Sequence, residues 1–295
     1  GYPDGYAPVL LGRGLHLPVM PTLRGQEARQ ARSSVAAALK RAITGADQLI
    51  TVSAALQALA VEQGANPARV QVIGNGIDLT RFVPVPRLDA RRQLGLPADA
   101  AVLVPAGTPV ERKGFHRVIE CLPRLLAAHT TLNLVVVGGA GPEGDMGAEL
   151  KSMVRTLGLD DRVHFLGPLP NDRLKVALSA ADVFVLATSY EGWANVFLEA
   201  MACGLPVVTT DVGGNAQVVN DRLLGRIVPF GDKQRLQEAI HEALCTPWDR
   251  QLIRAYAESN SWDRRIKPLL DAYHQLLSRG RKEHAHALAE TGNAG

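Results

Sequence analysis

Aromatic residues are scarce: Phe, Trp and Tyr make up 5% of the 295 residues. That is too few for a platform on which the bases of a single strand stack. Charge of one sign is lacking as well. The 32 Lys and Arg stand against 29 Asp and Glu, for a net charge of +3. The two signs alternate without a basic stripe, which excludes a binder of nucleic-acid backbones. Cysteine occurs three times, at Cys121, Cys203 and Cys245. An odd number, far apart, excludes a disulfide framework. Each lies in an apolar helical pattern, so buried reduced thiols and a cytoplasmic location are expected. No apolar run approaches the ~18 residues that span a bilayer, and no leader peptide is visible. An initiator Met is missing too. The chain opens Gly1-Tyr2-Pro3-Asp4-Gly5 and runs straight into the apolar stretch 7–11, which reads as the middle of a domain and predicts a fragment or a shortened chain.

What is present is ordinary for a globular protein: 46% hydrophobic and 21% charged residues, with enough length for about two domains. From residue 87 on, short Val- and Leu-rich runs bounded by Gly, Pro or Asp predict strands at 101–105, 132–137, 163–166, 183–186, 206–209 and 226–229. Unbroken apolar strands are what a parallel sheet covered on both faces requires. Helical patterns lie between them at 115–128, 144–157, 171–178, 196–203 and 234–244. This alternation predicts a doubly wound, Rossmann-like domain. Before it, a helix over 26–44, a strand at 49–52, a helix over 54–62 and a strand at 70–73 predict part of a second α/β unit. Val83-Pro84-Val85-Pro86 reads as the linker. The expected organisation is therefore a partial Rossmann-like domain at 1–86, a second at 87–262, a terminal helix at 263–278 returning to the first domain, and a disordered tail at 279–295. The tail carries His284 and His286, an H-x-H too isolated to make a metal site.

The stretch from Tyr190 to Gly204 holds the most chemistry. Glu191 lies in a loop after a strand, and Glu199 lies about one turn into the helix that follows. In an open α/β sheet, ligands sit beyond the carboxyl ends of the strands. Two carboxylates there can each accept hydrogen bonds from vicinal hydroxyls, as sugars and ribose offer. Between them, the backbone amides near Asn195 and Val196 head a helix, where unpaired donors and the dipole favour phosphate. Two glutamates eight apart would, taken alone, equally describe a solvated loop.

The surrounding text resembles the E-x7-E signature of family 4 retaining glycosyltransferases. It reads S-Y-E-G-W-A-N-V-F-L-E-A-M-A-C-G-L-P-V-V-T-T-D-V-G-G from Ser189 to Gly214. Three further stretches match in order: V-I-G-N-G-I-D-L-T-R-F from Val72, G-T-P-V-E-R-K-G from Gly107, and V-V-V-G-G from Val135. The opening, with Tyr2-Pro3-Asp4-Gly5 and Thr22-Leu23-Arg24-Gly25, is similar to the acceptor domain of relatives that build polysaccharides of the teichuronic-acid type.

The resemblance implies an α/β fold of the GT-B type: two Rossmann-like domains facing across a cleft, the N-terminal one incomplete. It implies transfer of a sugar from a UDP- or GDP-sugar to a hydroxyl of a glycan or lipid-linked glycan, with retention of anomeric configuration. The product would be a cell-surface polysaccharide or glycolipid. The enzyme would act in the cytoplasm, with peripheral contact at the inner membrane face. Glu191 would bond the donor-sugar hydroxyls and Glu199 the ribose diol. Asn195 and Val196 would give amides to phosphate, Lys113 would neutralise the diphosphate, and Leu169 would lie against the base. Gly107, Thr108 and Arg112 would complete the donor loop, and Arg24 and Gly25 would face the acceptor. No D-x-D stands where a GT-A enzyme would need it, so neither a metal nor a cofactor is implied. One departure is plain: Thr108 stands where the family pattern G-R-x4-K has Arg, with Arg112 beside Lys113 as the substitute charge.

Two other readings stay open on the residues. One is a non-catalytic protein that binds a nucleotide-sugar or a partner. The other is a Rossmann dehydrogenase, for which Gly139, Gly141 and Gly144 fit the letter of G-x-G-x-x-G.

Overall fold

A computed structural model describes residues 3–292, with side chains up to residue 278. It is an α/β structure with two separate parallel sheets, one of three strands and one of six. The chain divides into two compact units. One runs up to Asn75 and resumes at Trp262; the other is Gly76–Ser261.

The first unit opens with helix α1 (Tyr6–Leu15), which contains the apolar opening run and ends at His16 in a left-handed conformation. Strand β1 (Thr22–Leu23), the short helix α2 (Glu27–Gln30), α3 (Ala36–Gly45), β2 (Leu49–Thr51), α4 (Ala54–Glu62) and β3 (Val70–Val72) follow. The single helix expected over 26–44 is thus two. Ser33 Oγ donates to Gln30 O and accepts from Val35 N, and such local side-chain bonds compete with the helical ladder. Helix α4 begins where expected because Ser53 caps it, accepting from Leu56 N, at a typical gain of about 1 kcal/mol. Leu23, Leu39, Ile43, Leu49 and Ala60 form the core.

The second unit opens with α5 (Arg87–Gln93), a helix not foreseen from the sequence, followed by β4 (Ala101–Val104). Arg91, 4% exposed, holds α5 to the sheet. It donates to Ala180 O, Ala98 O and Asp182, and Asp182 also accepts from Val102 N. The pattern expected as one helix over 115–128 is α6 (Phe115–Ile119) and α7 (Leu122–Ala128). Pro123 sits at the first turn of α7. Its ring carries no N–H and cannot continue a helix from α6. Then come β5 (Leu132–Val137), α8 (Gly147–Thr156), β6 (Val163–Gly167), α9 (Asn171–Ala180), β7 (Val183–Leu186), α10 (Asn195–Ala202), β8 (Val207–Thr210), α11 (Asn215–Val218), β9 (Gly225–Val228), α12 (Lys233–Cys245) and α13 (Arg250–Ser259). Helix α13 was not foreseen either, although Asp249 caps it through Gln251 N and Leu252 N.

The strand order is β6-β5-β4-β7-β8-β9, all parallel. Every residue of β7 is fully buried, as helices on both faces require. The order reverses between β4 and β7. In such sheets the crevice beyond the strand ends at that point is where ligands bind.

Residues 76–86, expected on the first domain's side of the linker, belong to the second unit. Ile77 N donates to Asn260 O, and Val85 N to Ser179 Oγ. The final helix α14 (Trp262–Gly292) returns to the first unit. There Ala272 and Leu269 pack with Ile50 and Ile73. Its backbone stays helical through 279–292, where a disordered tail was expected. The Lys, Glu, Ala and Leu of that stretch are good helix formers. Positions 293–295 of the expected tail, and the side chains of His284 and His286, lie outside the described residues. Cys121 and Cys203 are buried as expected, and burial pushes both thiols up to about 12. Cys245 is exposed instead, because it ends α12 beyond the helix's buried face. Among the described residues no helix is long and apolar enough to cross a membrane.

Candidate active site

The loops after β4, β5, β6 and β7 enclose a cavity of about 500 Å³ within the second unit. The β4 loop brings Gly107, Thr108 and Lys113. The β6 end brings Leu169, and the β7 loop with the head of α10 brings Glu191, Asn195, Val196 and Glu199. Eight of the residues singled out from sequence therefore share one wall. Arg112 stands behind it, joined to Glu191.

Glu191 is 8% exposed. Its Oε1 accepts from Lys113 Nζ at 2.5 Å and from Arg112 at 3.3 Å, with Thr188 Oγ1 at 3.4 Å. Arg112 in turn grips Glu143 with two bonds, of 2.6 and 3.2 Å. This fork aligns the guanidinium, so Glu143 and Thr188 support the site although neither was singled out from the sequence. Arg112 and Lys113 close a 3-10 turn (Glu111–Lys113), and α6 starts after Gly114. Glu199 lies one turn into α10 and is half-buried. Burial pushes its pKa up to about 7, and Lys113 opposes the rise. Ala194 precedes α10 and offers no side-chain cap. Phe197 N, in the first turn, donates to Ala194 O at 3.0 Å.

Two glycines make the walls possible. Gly138, at φ +141, sits so close to the β4 loop that a Cβ would lie 1.7 Å from Gly107 O. Gly213, at φ +55, would set a Cβ 1.8 Å from Glu191 O. Gly214 N donates to that same oxygen at 3.0 Å. The D-V-G-G turn thus backs the Glu191 loop, a role visible only once β8 lies beside β7.

The dinucleotide-binding alternative fails on geometry. Its glycines follow β5 rather than the strand at the switch point, and Gly141 and Gly144 pair in a tight bridge. Helix α8 starts only at Gly147, so no helix head meets that loop. Arg24 and Gly25 belong to the first unit, beyond the end of β1. Gly25 N donates to the buried Glu27 there, at 2.7 Å, and Arg24 lines a separate cavity of about 430 Å³.

A family model for glycosyl transferases group 1 matches residues 86–260, and one for glycosyltransferase family 4 matches residues 1–81. The chain belongs to the glycosyl transferases group 1. Its architecture is the α/β, parallel-sheet GT-B fold of its structural neighbours. The D-inositol 3-phosphate glycosyltransferase of Acidothermus cellulolyticus is 33% identical over 258 residues, which cover 84% of this chain and 57% of that protein. The chain thus spans little more than half the length of this relative. Sucrose-phosphate synthase from Thermosynechococcus elongatus superposes with a TM-score of 0.79 at 29% identity, covering 93% of this chain and 72% of that one. Anabaena HepE in complex with UDP and glucose superposes at 0.72 with 25% identity, covering 96% and 74%.

Proposed function

We propose that this chain binds a nucleotide-diphosphate sugar in the second unit and takes part in transferring the sugar, with retention, to an acceptor hydroxyl. One observation carries the reading. Lys113, Glu191, Glu199 and the head of α10 surround a single cavity at the switch point of the six-stranded sheet. Family membership and a structural neighbour crystallised with UDP and glucose support it.

In this reading Glu199 accepts from the ribose diol. The amides of Asn195 and Val196 and the ammonium of Lys113 receive the diphosphate, and Leu169 lies along the base. The diphosphate replaces Glu191 as the partner of Lys113. The freed Glu191 carboxylate then accepts from the sugar hydroxyls. Arg112, aligned by Glu143, supplies the charge that Thr108 cannot. In the transfer, the bond from the anomeric carbon to the diphosphate oxygen breaks and a bond to the acceptor oxygen forms on the same face. The acceptor proton passes to the departing diphosphate. Stabilising that leaving group and positioning the two reactants then provide the rate enhancement. The acceptor is a hydroxyl compound, a glycan or lipid-linked glycan or a small phosphorylated polyol like that in the names of the inositol 3-phosphate relatives. We place the reaction in the cytoplasm.

The test is a thermal-shift screen of UDP, GDP and ADP with their sugars at millimolar levels. A ligand at 100 times its Kd should stabilise the fold by about 2.7 kcal/mol. If none of them raises Tm, the nucleotide-sugar reading is wrong. Binding without turnover on any acceptor would favour the non-catalytic alternative, which Thr108 also favours.

A further inference from the structure

The geometry points to a second ligand site in the same unit: His129, His241 and Cys245 supply three protein ligands to a zinc-class divalent cation. Their ligand atoms all lie within 4.8 Å of one another. His129 follows the last residue of α7, where its N–H closes the helix onto Leu125 O. His241 and Cys245 are four residues apart on α12, a spacing that puts both side chains on one helical face. Helices α7 and α12 pack side by side, and this brings the three groups together across the gap.

His129 Nε2 and His241 Nδ1 are 2.9 Å apart. Between two imidazoles that separation is one hydrogen bond. A tetrahedral ion with metal–nitrogen bonds of about 2.0 Å needs its nitrogens about 3.3 Å apart, a small widening that side-chain rotation supplies. His129 is half-buried, while His241 and Cys245 are exposed, so solvent reaches the site and the rings can turn. Two imidazoles and a thiolate suit zinc rather than magnesium or calcium, which prefer oxygen donors. Binding converts the Cys245 thiol to thiolate and releases one proton. Three protein ligands leave the fourth position to water.

The site lies at the opposite end of β5 from the sugar-nucleotide cavity. His129 O accepts from Leu132 N just before the strand begins, whereas the cavity lies beyond Val137. It therefore takes no direct part in sugar transfer. Its effect is to tie the end of α7 to the end of α12 and to make the unit's stability depend on zinc.

The experiment titrates the whole chain with Co²⁺, then with Zn²⁺. The expected result is one equivalent of Co²⁺ giving a thiolate-to-cobalt charge-transfer band in the near ultraviolet and the visible bands of a tetrahedral ion. One equivalent of Zn²⁺ should erase both and raise Tm. Cys245→Ser should lose the charge-transfer band. His241→Gln should weaken Zn²⁺ by more than about tenfold, a loss that even supporting residues produce at such sites. Unchanged Tm in a chelator shows that each variant folds. No charge-transfer band in the parent, or the same band in Cys245→Ser, would overturn the site. So would equal Zn²⁺ affinity in the parent and His241→Gln, which would place the metal elsewhere, His284 and His286 included.

Discussion

Raising the pH from 6 to 8 should tighten the binding of an uncharged nucleoside about tenfold, and Glu199 should be the cause. Its carboxyl titrates near 7 rather than 4.5 because burial disfavours the charged form. The carboxylate is then roughly one tenth of the population at pH 6 and nine tenths at pH 8. If only the carboxylate accepts from the ribose diol, affinity follows that fraction. Uridine and guanosine are the right probes, since they carry no phosphate that titrates in the same range. Stability should move the other way. Between 4.5 and about 7 the folded chain keeps a proton that the unfolded chain has released. Stability from this group is therefore complete below 4.5 and is lost as pH rises through 7. The displacement from 4.5 to about 7 corresponds to on the order of 3 kcal/mol. Glu199→Gln keeps the shape and removes the titration. It should bind nucleoside weakly with no pH dependence, and it should be more stable than the parent at pH 8. Calorimetric titrations at pH 6, 7 and 8, with urea unfolding at the same values, measure both. A parent affinity that stays flat across this range, or that changes in parallel with the variant's, refutes the assignment of Glu199 to the ribose.

Lys113→Ala should weaken UDP or GDP by tenfold or more, since a charge-assisted phosphate contact contributes roughly 1.5–3 kcal/mol. Nucleoside binding should hardly change, and calorimetry with both ligands checks the difference. Glu191→Ala should weaken the nucleotide-sugar while leaving the free nucleotide bound as tightly as before, or more so because Lys113 loses a competing carboxylate. Equal losses for the two ligands would contradict the sugar-side role. Gly213→Ala should destabilise the fold by more than about 2 kcal/mol, because a side chain there meets both a left-handed φ and the carbonyl of Glu191. Denaturant unfolding checks it, and a variant as stable as the parent would mean that the turn shifts freely.

Local pattern alone determined much of this protein. Runs of Val and Leu without alternation announced strands buried on both faces, and β5 and β7 fall on the residues expected. Helix α4 also falls on the residues expected, 54–62. Glu191 and Glu199, with the helix head between them, singled out a loop whose residues line one cavity, because carboxylates and helix heads carry their chemistry wherever the chain puts them. Other features exist only in three dimensions. Pro123 and Ser33 broke helices whose apolar periodicity ran on unbroken, since periodicity does not register a missing N–H or a competing hydroxyl. Glu143 became a support of the site through Arg112, thirty-one residues back along the chain. Gly213 became its support through the pairing of β8 with β7. Cys245 shared an apolar pattern with Cys121 and Cys203, yet it faces outward, because which face of α12 is buried depends on where the sheet lies. His129 meets His241 only because α7 packs against α12, and no spacing in the sequence encodes a contact between side chains 112 residues apart.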